Sequence, residues 1–154
     1  MRATFLLLIC LFAAAYVSAQ TAGDGIEEVY LAKDDGNGKA GEAVSSFFTT
    51  DIPIYCVVQL DAPKAVTVKM NFVAVSVPGV KPDSKVVSTS YTTKDGQSRV
   101  NFTGKPAESW SAGKYRVDIF IDGKLVKDLV FDIRPASGSM DGAAYLVPKA
   151  AANP

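Results

Sequence analysis

Apolar and polar side chains alternate along most of this chain, which is the pattern of β-strands that bury one face. Clusters of Gly, Pro, Asn and Asp separate these segments, and almost no stretch has helical periodicity. In the clearest segment, 65–77, one face is apolar and the other carries Thr67, Lys69 and Asn71. The apolar face consists of Val66, Val68, Met70, Phe72 and Ala74. The predicted strands are 26–32, 44–48, 52–60, 65–77, 85–93, 99–103 and the two arms of a final hairpin.

The final hairpin has the strongest local signal. Two alternating segments, 110–121 and 124–133, flank the dipeptide Asp122-Gly123. Both residues accept the positive φ angles of a type I′ turn, which joins neighbouring antiparallel strands. About seven to eight short strands without intervening helices favour an antiparallel β-sandwich over a parallel sheet. The predicted fold class is therefore all-β.

The start of the hairpin's first arm resembles a known family. The segment 113–117 is similar to the opening of strand F in immunoglobulin-like domains, where a tyrosine, here Tyr115, bonds back across a corner. In antibody domains the residue two positions later is a cysteine paired with strand B; here it is Val117, while Cys56 lies on the strand that would be B. Trp110 precedes strand F instead of lying on strand C. The resemblance implies an immunoglobulin-like or fibronectin-type sandwich, with a tyrosine that merely packs in another sandwich as the alternative.

The first residues follow a different pattern from the rest. Arg2 precedes an apolar run over 5–17, and Val17-Ser18-Ala19 offers small residues for cleavage. This is typical of a secretory signal peptide, so we expect cleavage after Ala19 and a secreted or periplasmic protein. An uncleaved N-terminal anchor is the alternative. Cys10 has large neighbours, which argues against lipidation. The predicted organisation is a signal peptide over 1–19, a sandwich domain over 20–133 and a flexible tail over 134–154.

Charge suggests neither a nucleic-acid partner nor an anionic membrane surface. The full chain has 16 basic and 16 acidic side chains, so loss of Arg2 with the leader leaves a formal charge of minus one. The basic residues are scattered, whereas both kinds of partner usually require them clustered. No second long apolar run follows the leader, so we expect no membrane span after cleavage.

Cysteine usage predicts a fold without an internal disulfide. After cleavage only Cys56 remains, and it would share a strand face with Ile54, Val58 and Leu60. We expect a buried thiol that packs as a small apolar side chain. A reactive or intermolecular cysteine is the alternative.

The composition restricts the available chemistry. The chain has no histidine, which excludes Ser-His-Asp and Cys-His catalysis and histidine-built metal sites. Ser-Lys pairs and paired carboxylates remain, but these residue types are common, and turn geometry accounts for most of the aspartates. We therefore predict no enzyme, no catalytic residue, no cofactor-binding residue and no metal ligand. The aspartates at predicted turns are Asp34, Asp35, Asp61, Asp83, Asp95 and Asp122.

The loop 34–39 gathers oxygen donors of the kind that calcium prefers, with Glu42 nearby. Lys33 and Lys39 lie where a calcium loop would need acidic ligands, so we predict turn chemistry and no calcium site. Asn101-Phe102-Thr103 is a glycosylation sequon on a predicted strand, where chance occurrence is the default interpretation. In the tail, the apolar island 145–147 could add to a sheet edge of this or another molecule.

Three functions remain open. The first is an exported, non-enzymatic binding or structural module that recognises a protein or a glycan. The second is an envelope or extracellular assembly subunit that pairs through edge strands, which makes self-association an expectation of that alternative. The third and least favoured is a carboxylate-dependent hydrolase. Exposed aromatic side chains on one sheet face would favour glycan binding, and the candidates are Tyr55, Tyr91, Trp110 and Phe120.

Overall fold

The computed structural model describes residues 23–136. The leader over 1–19, its cleavage site after Ala19, and residues 137–154 of the predicted flexible tail, which include the island 145–147, lie outside the described residues. The described part forms nine β-strands: β1 Ile26–Asp34, β2 Ala40–Ala43, β3 Ser46–Phe48, β4 Ile54–Leu60, β5 Thr67–Ser76, β6 Ser84–Thr92, β7 Arg99–Gly104, β8 Gly113–Ile121 and β9 Lys124–Arg134.

The strands form two sheets. The first has the order β2-β1-β4-β7 and the second the order β3-β9-β8-β5-β6. Every pairing is antiparallel except that of β3 with β9, which is parallel. Within residues 23–136 there is no helix long and apolar enough to span a membrane. The prediction of an all-β, immunoglobulin-like sandwich is confirmed, and its one described cysteine, Cys56, is free.

One strand, β2, was not predicted. Its sequence Ala-Gly-Glu-Ala lacks a large apolar residue, and it forms by pairing with the end of β1 at Ala32↔Ala43 and Asp34↔Ala40. The chain then passes to the other sheet, where β3 pairs with β9. The predicted strand over 44–48 therefore begins two residues later, at Ser46, because the preceding residues make this crossing.

Aromatic rings fill the core where the two sheets face each other. Phe72 lies 5.9 Å from Trp110 and 5.3 Å from Phe131 between ring centroids, and Tyr115 stacks on Phe131 at 5.6 Å. Phe47 meets the edge of Phe131 at 5.7 Å. The inward face predicted for β5 is confirmed, since Val68, Met70, Phe72 and Ala74 are buried.

The corner that carries the family resemblance is formed. The hydroxyl of Tyr115 donates a hydrogen bond to the carbonyl oxygen of Ser111 at 2.9 Å. Val117 on β8 and Cys56 on β4 are both fully buried, in opposite sheets. The bulky residue on β5, the counterpart of strand C, is Phe72, against which Trp110 packs from the loop before β8. The tryptophan thus reaches the core from a different strand connection than in antibody domains.

The final hairpin has the predicted turn. Asp122 and Gly123 have φ angles of 48° and 85°, as a type I′ turn requires. The carboxylate of Asp122 also accepts a hydrogen bond from the backbone N–H of Thr67 at 2.9 Å. The turn is therefore joined to the start of β5 as well as linking β8 to β9.

Candidate functional site

Strand β3 is too short to cover the whole edge of strand β9, so part of that edge is unpaired. Strand β3 pairs only with the residues Asp132–Arg134 of β9. On that side the stretch 124–130 of β9 has no strand partner among the described residues, although β8 pairs along its other side. Unpaired strand edges carry free N–H and C=O groups that can pair with another extended chain. We call the stretch 124–130, together with the groove beside it, the open flank.

The groove lies between β1 of the first sheet and β9 of the second, beside the crossing from β2 to β3. It has a volume of about 320 Å³. Its lining is mostly apolar and consists of Val29, Tyr30, Leu31, Ala43, Val44, Ser45, Leu129 and Val130. A free strand edge therefore borders a concave apolar surface, which offers main-chain hydrogen bonds and side-chain contacts together.

Strand β9 carries apolar side chains on both faces beside this edge. Leu129 lies opposite buried Val117 and packs against the core, whereas Val130 lies opposite Arg116 on the outer face and is 53% exposed. Leu125, opposite Phe120, is 51% exposed on the same outer face. These adjacent apolar pairs, 125–126 and 129–130, break strict alternation. They were the sequence signal that could have revealed the open flank.

The outer face of the five-stranded sheet holds a polar network beside these residues. The Arg116 guanidinium donates to both carboxylate oxygens of Asp118, at 2.6 and 3.2 Å, and lies 3.5 Å from Asp83. Its pKa is raised, chiefly by the hydrogen bond to Asp118. Ser88 donates a hydrogen bond to the Asn71 side chain at 2.7 Å. Asn71 and Asp118 are buried on this face; the Ser88–Asn71 bond joins β6 to β5, whereas the Arg116–Asp118 contact lies within β8.

The candidate calcium loop uses its carboxylates on its own backbone. Asp34 Oδ1 accepts from the N–H of Gly36 at 2.6 Å, and Asp35 Oδ1 accepts from those of Asn37 and Lys39 at 2.8 and 3.2 Å. These hydrogen bonds, chiefly the one from the Asn37 N–H, lower the pKa of the Asp35 carboxyl group. Between residues 23 and 136 no group of three or more Asp, Glu, Cys or His side chains is arranged to hold a metal ion.

The second carboxylate oxygen of Asp34 binds a side chain of the neighbouring strand β4 in the same sheet. The other oxygen of Asp34 accepts a hydrogen bond from the Tyr55 hydroxyl at 2.9 Å. Burial, and then this carboxylate, raise the pKa of Tyr55. The tyrosine is 7% exposed, so its ring supports the loop and offers no free aromatic surface.

The four aromatic candidates for glycan binding do not share a face. Trp110 and Tyr55 are buried, and the indole N–H of Trp110 donates to the Asp51 carbonyl at 3.1 Å. Tyr91 pairs with inward-facing Val68, whereas Phe120 pairs with outward-facing Lys69, so these two lie on opposite faces of one sheet. The aromatic platform that would favour a glycan partner is not formed by these side chains.

The remaining candidates from the sequence are Cys56 and the sequon at Asn101. Cys56 is fully buried, as expected, and burial raises its pKa to about 12. Asn101, the acceptor residue of the sequon, is exposed and Phe102 is buried. None of these three residues lies on the open flank.

Comparison with known proteins shows similarity of fold to several solved structures. No family model and no curated protein matches the chain. Among solved structures, an immunoglobulin-like protein from Pseudomonas aeruginosa is similar with a TM-score of 0.47 and 13% identity, over 71% of this chain and 94% of that chain. A cycloisomaltooligosaccharide glucanotransferase from Paenibacillus sp. is similar with a TM-score of 0.41 and 23% identity, over 75% of this chain and 14% of that chain. An alkylpurine DNA glycosylase from Pseudomonas fluorescens has a TM-score of 0.40 and 14% identity, over 70% of this chain and 30% of that chain.

Proposed function

We propose that this chain is an exported, non-enzymatic binding module that takes up an extended segment of a partner protein along the open flank. The observation that carries the proposal is the unpaired stretch 124–130 of β9, which the apolar groove adjoins at Leu129 and Val130. An incoming strand would form main-chain hydrogen bonds with β9, and its side chains beside Leu129 and Val130 would enter the groove. The main-chain hydrogen bonds would thus supply affinity, and the groove would supply selectivity.

The size of the open flank suits a short segment. At about 3.3 Å per residue, the stretch 124–130 spans about 23 Å, which is the length of a typical single strand. Exposed Lys124 and Lys127 lie along the edge and would disfavour unselective pairing between sheets. We therefore expect a partner segment of about five to seven residues with apolar side chains.

A protein partner is favoured over a glycan by the arrangement of aromatic side chains. Two of the four candidate rings are buried and the other two face opposite ways. Sugar rings commonly stack on exposed aromatic faces, whereas the open flank offers a strand edge and aliphatic side chains. This surface chemistry fits a polypeptide.

Support for a non-enzymatic role comes from the state of the reactive side chains. The sequence has no histidine, the Cys56 thiol is sealed in the core, and the Asp118 carboxylate is engaged by Arg116. The expectation of export depends on the leader pattern over 1–19.

A photo-crosslinking amino acid at position 130 tests the proposal. Val86 on the edge strand β6 is the matched control site, because Val130 and Val86 are 53% and 41% exposed. In the exported protein fraction of the native source, we expect position 130 to label an extended apolar segment of another protein and position 86 to label none. Equal labelling from both sites, or no labelled protein, would contradict it.

The assembly-subunit alternative is favoured by the same free edge, since an edge can pair with a second copy. The two functions differ in what position 130 labels. Crosslinks within copies of this chain, with oligomers in sedimentation, would support assembly over a foreign partner.

A further inference from the structure

We propose that residues 143–147 of the same chain occupy the open flank as an additional strand beside β9, and that a partner segment must displace them. The displacement rests on the proposed binding function, whereas the docking of residues 143–147 does not. Residues 143–147 would therefore compete with the partner segment for β9 and lower the apparent affinity for that segment. Three observations support it: the position at which the described chain ends, the composition of the intervening residues, and the two-faced apolar character of β9.

The described chain ends close enough to the open flank for residues 143–147 to reach it. Arg134 pairs with Phe48, and the N–H of Ala136 donates to Thr49 Oγ1 at 3.2 Å, so the chain leaves at the β3 end of β9. From Arg134 back to Val130 is about 13 Å along the strand. The six residues 137–142 that connect the described chain to the proposed strand can span about 20 Å. This length is enough to pass around β3 and run back antiparallel to the free stretch of β9.

The composition of this stretch suits a turn followed by a strand. Ser137-Gly138-Ser139 and Asp141-Gly142 are residues that favour turns. The segment 143–147, Ala-Ala-Tyr-Leu-Val, then combines apolar side chains with β-propensity in its last three residues. Pro148 follows and lacks the N–H that a continuing strand needs.

The segment and the edge match in the distribution of their apolar side chains. Tyr145, Leu146 and Val147 are consecutive, so a strand containing them presents apolar side chains on both faces. Beside β9 one face of this strand would meet Leu129, which packs against the core, and the other would meet exposed Val130, and both residues line the groove. A segment apolar on one face only would leave Val130 uncovered. The continuous apolar run therefore fits this edge better than an alternating strand would.

Amide hydrogen exchange on the full chain tests the docking. Three forms are compared: the unchanged chain, Leu146→Asp, which puts a charge into the proposed strand, and Ala151→Asp, which adds the same charge outside it. We expect amides within 124–130 to exchange about tenfold faster in Leu146→Asp, and at the unchanged rate in Ala151→Asp. Strand β5, which is paired on both sides by β8 and β6, should exchange equally in all three forms and so report that the fold is intact.

Two results would overturn the proposal. Equal exchange of 124–130 in all three forms would mean that residues 143–147 do not cover β9. Protection of 124–130 that falls on dilution of the unchanged chain would mean that a second copy supplies the strand.

The photo-crosslinker at position 130 separates this inference from the proposed function. In the isolated protein it should label residues 143–147 of the same chain. With partner present, Leu146→Asp should increase partner labelling and Ala151→Asp should not. Failure of partner labelling while the exchange result holds would remove only the binding function.

Discussion

Gly104, the last residue of β7, lies directly against the ring of Phe72 on β5 in the facing sheet. A Cβ atom built on Gly104 would overlap this ring, and Phe72 is held by Trp110 and Phe131 on its other sides. We expect Gly104→Ala to lower the free energy of unfolding by about 1–3 kcal/mol, because an overpacked core shifts its backbone or its rotamers. Urea unfolding followed by circular dichroism measures the change.

Gly23→Ala is the matched control for that substitution. A Cβ at Gly23 would lie 3.8 Å from the carboxylate of Asp61, which is an ordinary contact distance. Its effect should stay within about 0.5 kcal/mol. Equal stability of the two variants would show that the sheets can separate at Gly104 without cost.

Removal of the Tyr115 hydroxyl tests the corner before β8. In Tyr115→Phe the Ser111 carbonyl loses a part-buried hydrogen-bond donor, and we expect a loss of about 1–3 kcal/mol in the free energy of unfolding. Tyr30→Phe is the control, since the Tyr30 hydroxyl only accepts an exposed bond from Arg99. Urea midpoints compared at fixed m-value distinguish the two. A Tyr30→Phe loss as large as that of Tyr115→Phe would argue against a special role for the corner.

The buried Cys56 thiol should make stability decline in alkali. Its pKa is raised by burial to about 12 in the folded protein, from an ordinary value near 9.0. The unfolded chain therefore releases this proton first as pH rises, so the contribution of the thiol is complete below pH 9 and falls progressively between about pH 9 and pH 12. The free energy of unfolding at pH 8 and pH 10 should differ less in Cys56→Val than in the unchanged chain. An identical difference in both proteins would show that the thiol does not contribute.

Val117→Cys should create the disulfide that antibody domains have at the corresponding strands. Cys56 and Val117 are both fully buried in one core cluster, on strands of opposite sheets. Once oxidised, a bridge across so long a loop should stabilise the fold by roughly 4 kcal/mol. Thiol titration in denaturant, and unfolding with and without reductant, measure both effects. Two free thiols after oxidation would mean that the sheets are spaced differently here.

The parts of the fold that depend on local chemistry could be predicted from the sequence. The alternation along β5 assigned its inward face, and the Asp122-Gly123 dipeptide placed the hairpin turn, because each signal depends on residues adjacent in the chain. Tyr115 was recognisable for a similar reason, since its bond reaches back only to Ser111.

Features that depend on partner strands could not be predicted in this way. Strand β2 has no apolar pattern of its own and forms by pairing with the end of β1, on the edge of β1 that lies away from β4. Asn71 was expected on the polar face, where it does lie, but Ser88 and neighbouring strands bury it. The apolar pairs 125–126 and 129–130 are a local signal for the side chains of the open flank, but the length of its unpaired edge depends on how few residues of β3 pair with β9.

The position of Trp110 has a practical consequence for experiments on this protein. It is the single tryptophan of the chain, is 4% exposed, and touches both Phe72 and Tyr115. Its indole is thus an intrinsic fluorescence probe at the junction of the two sheets. Its emission should shift to longer wavelength when water reaches the ring. Fluorescence at one wavelength can therefore follow opening of the core without any attached dye.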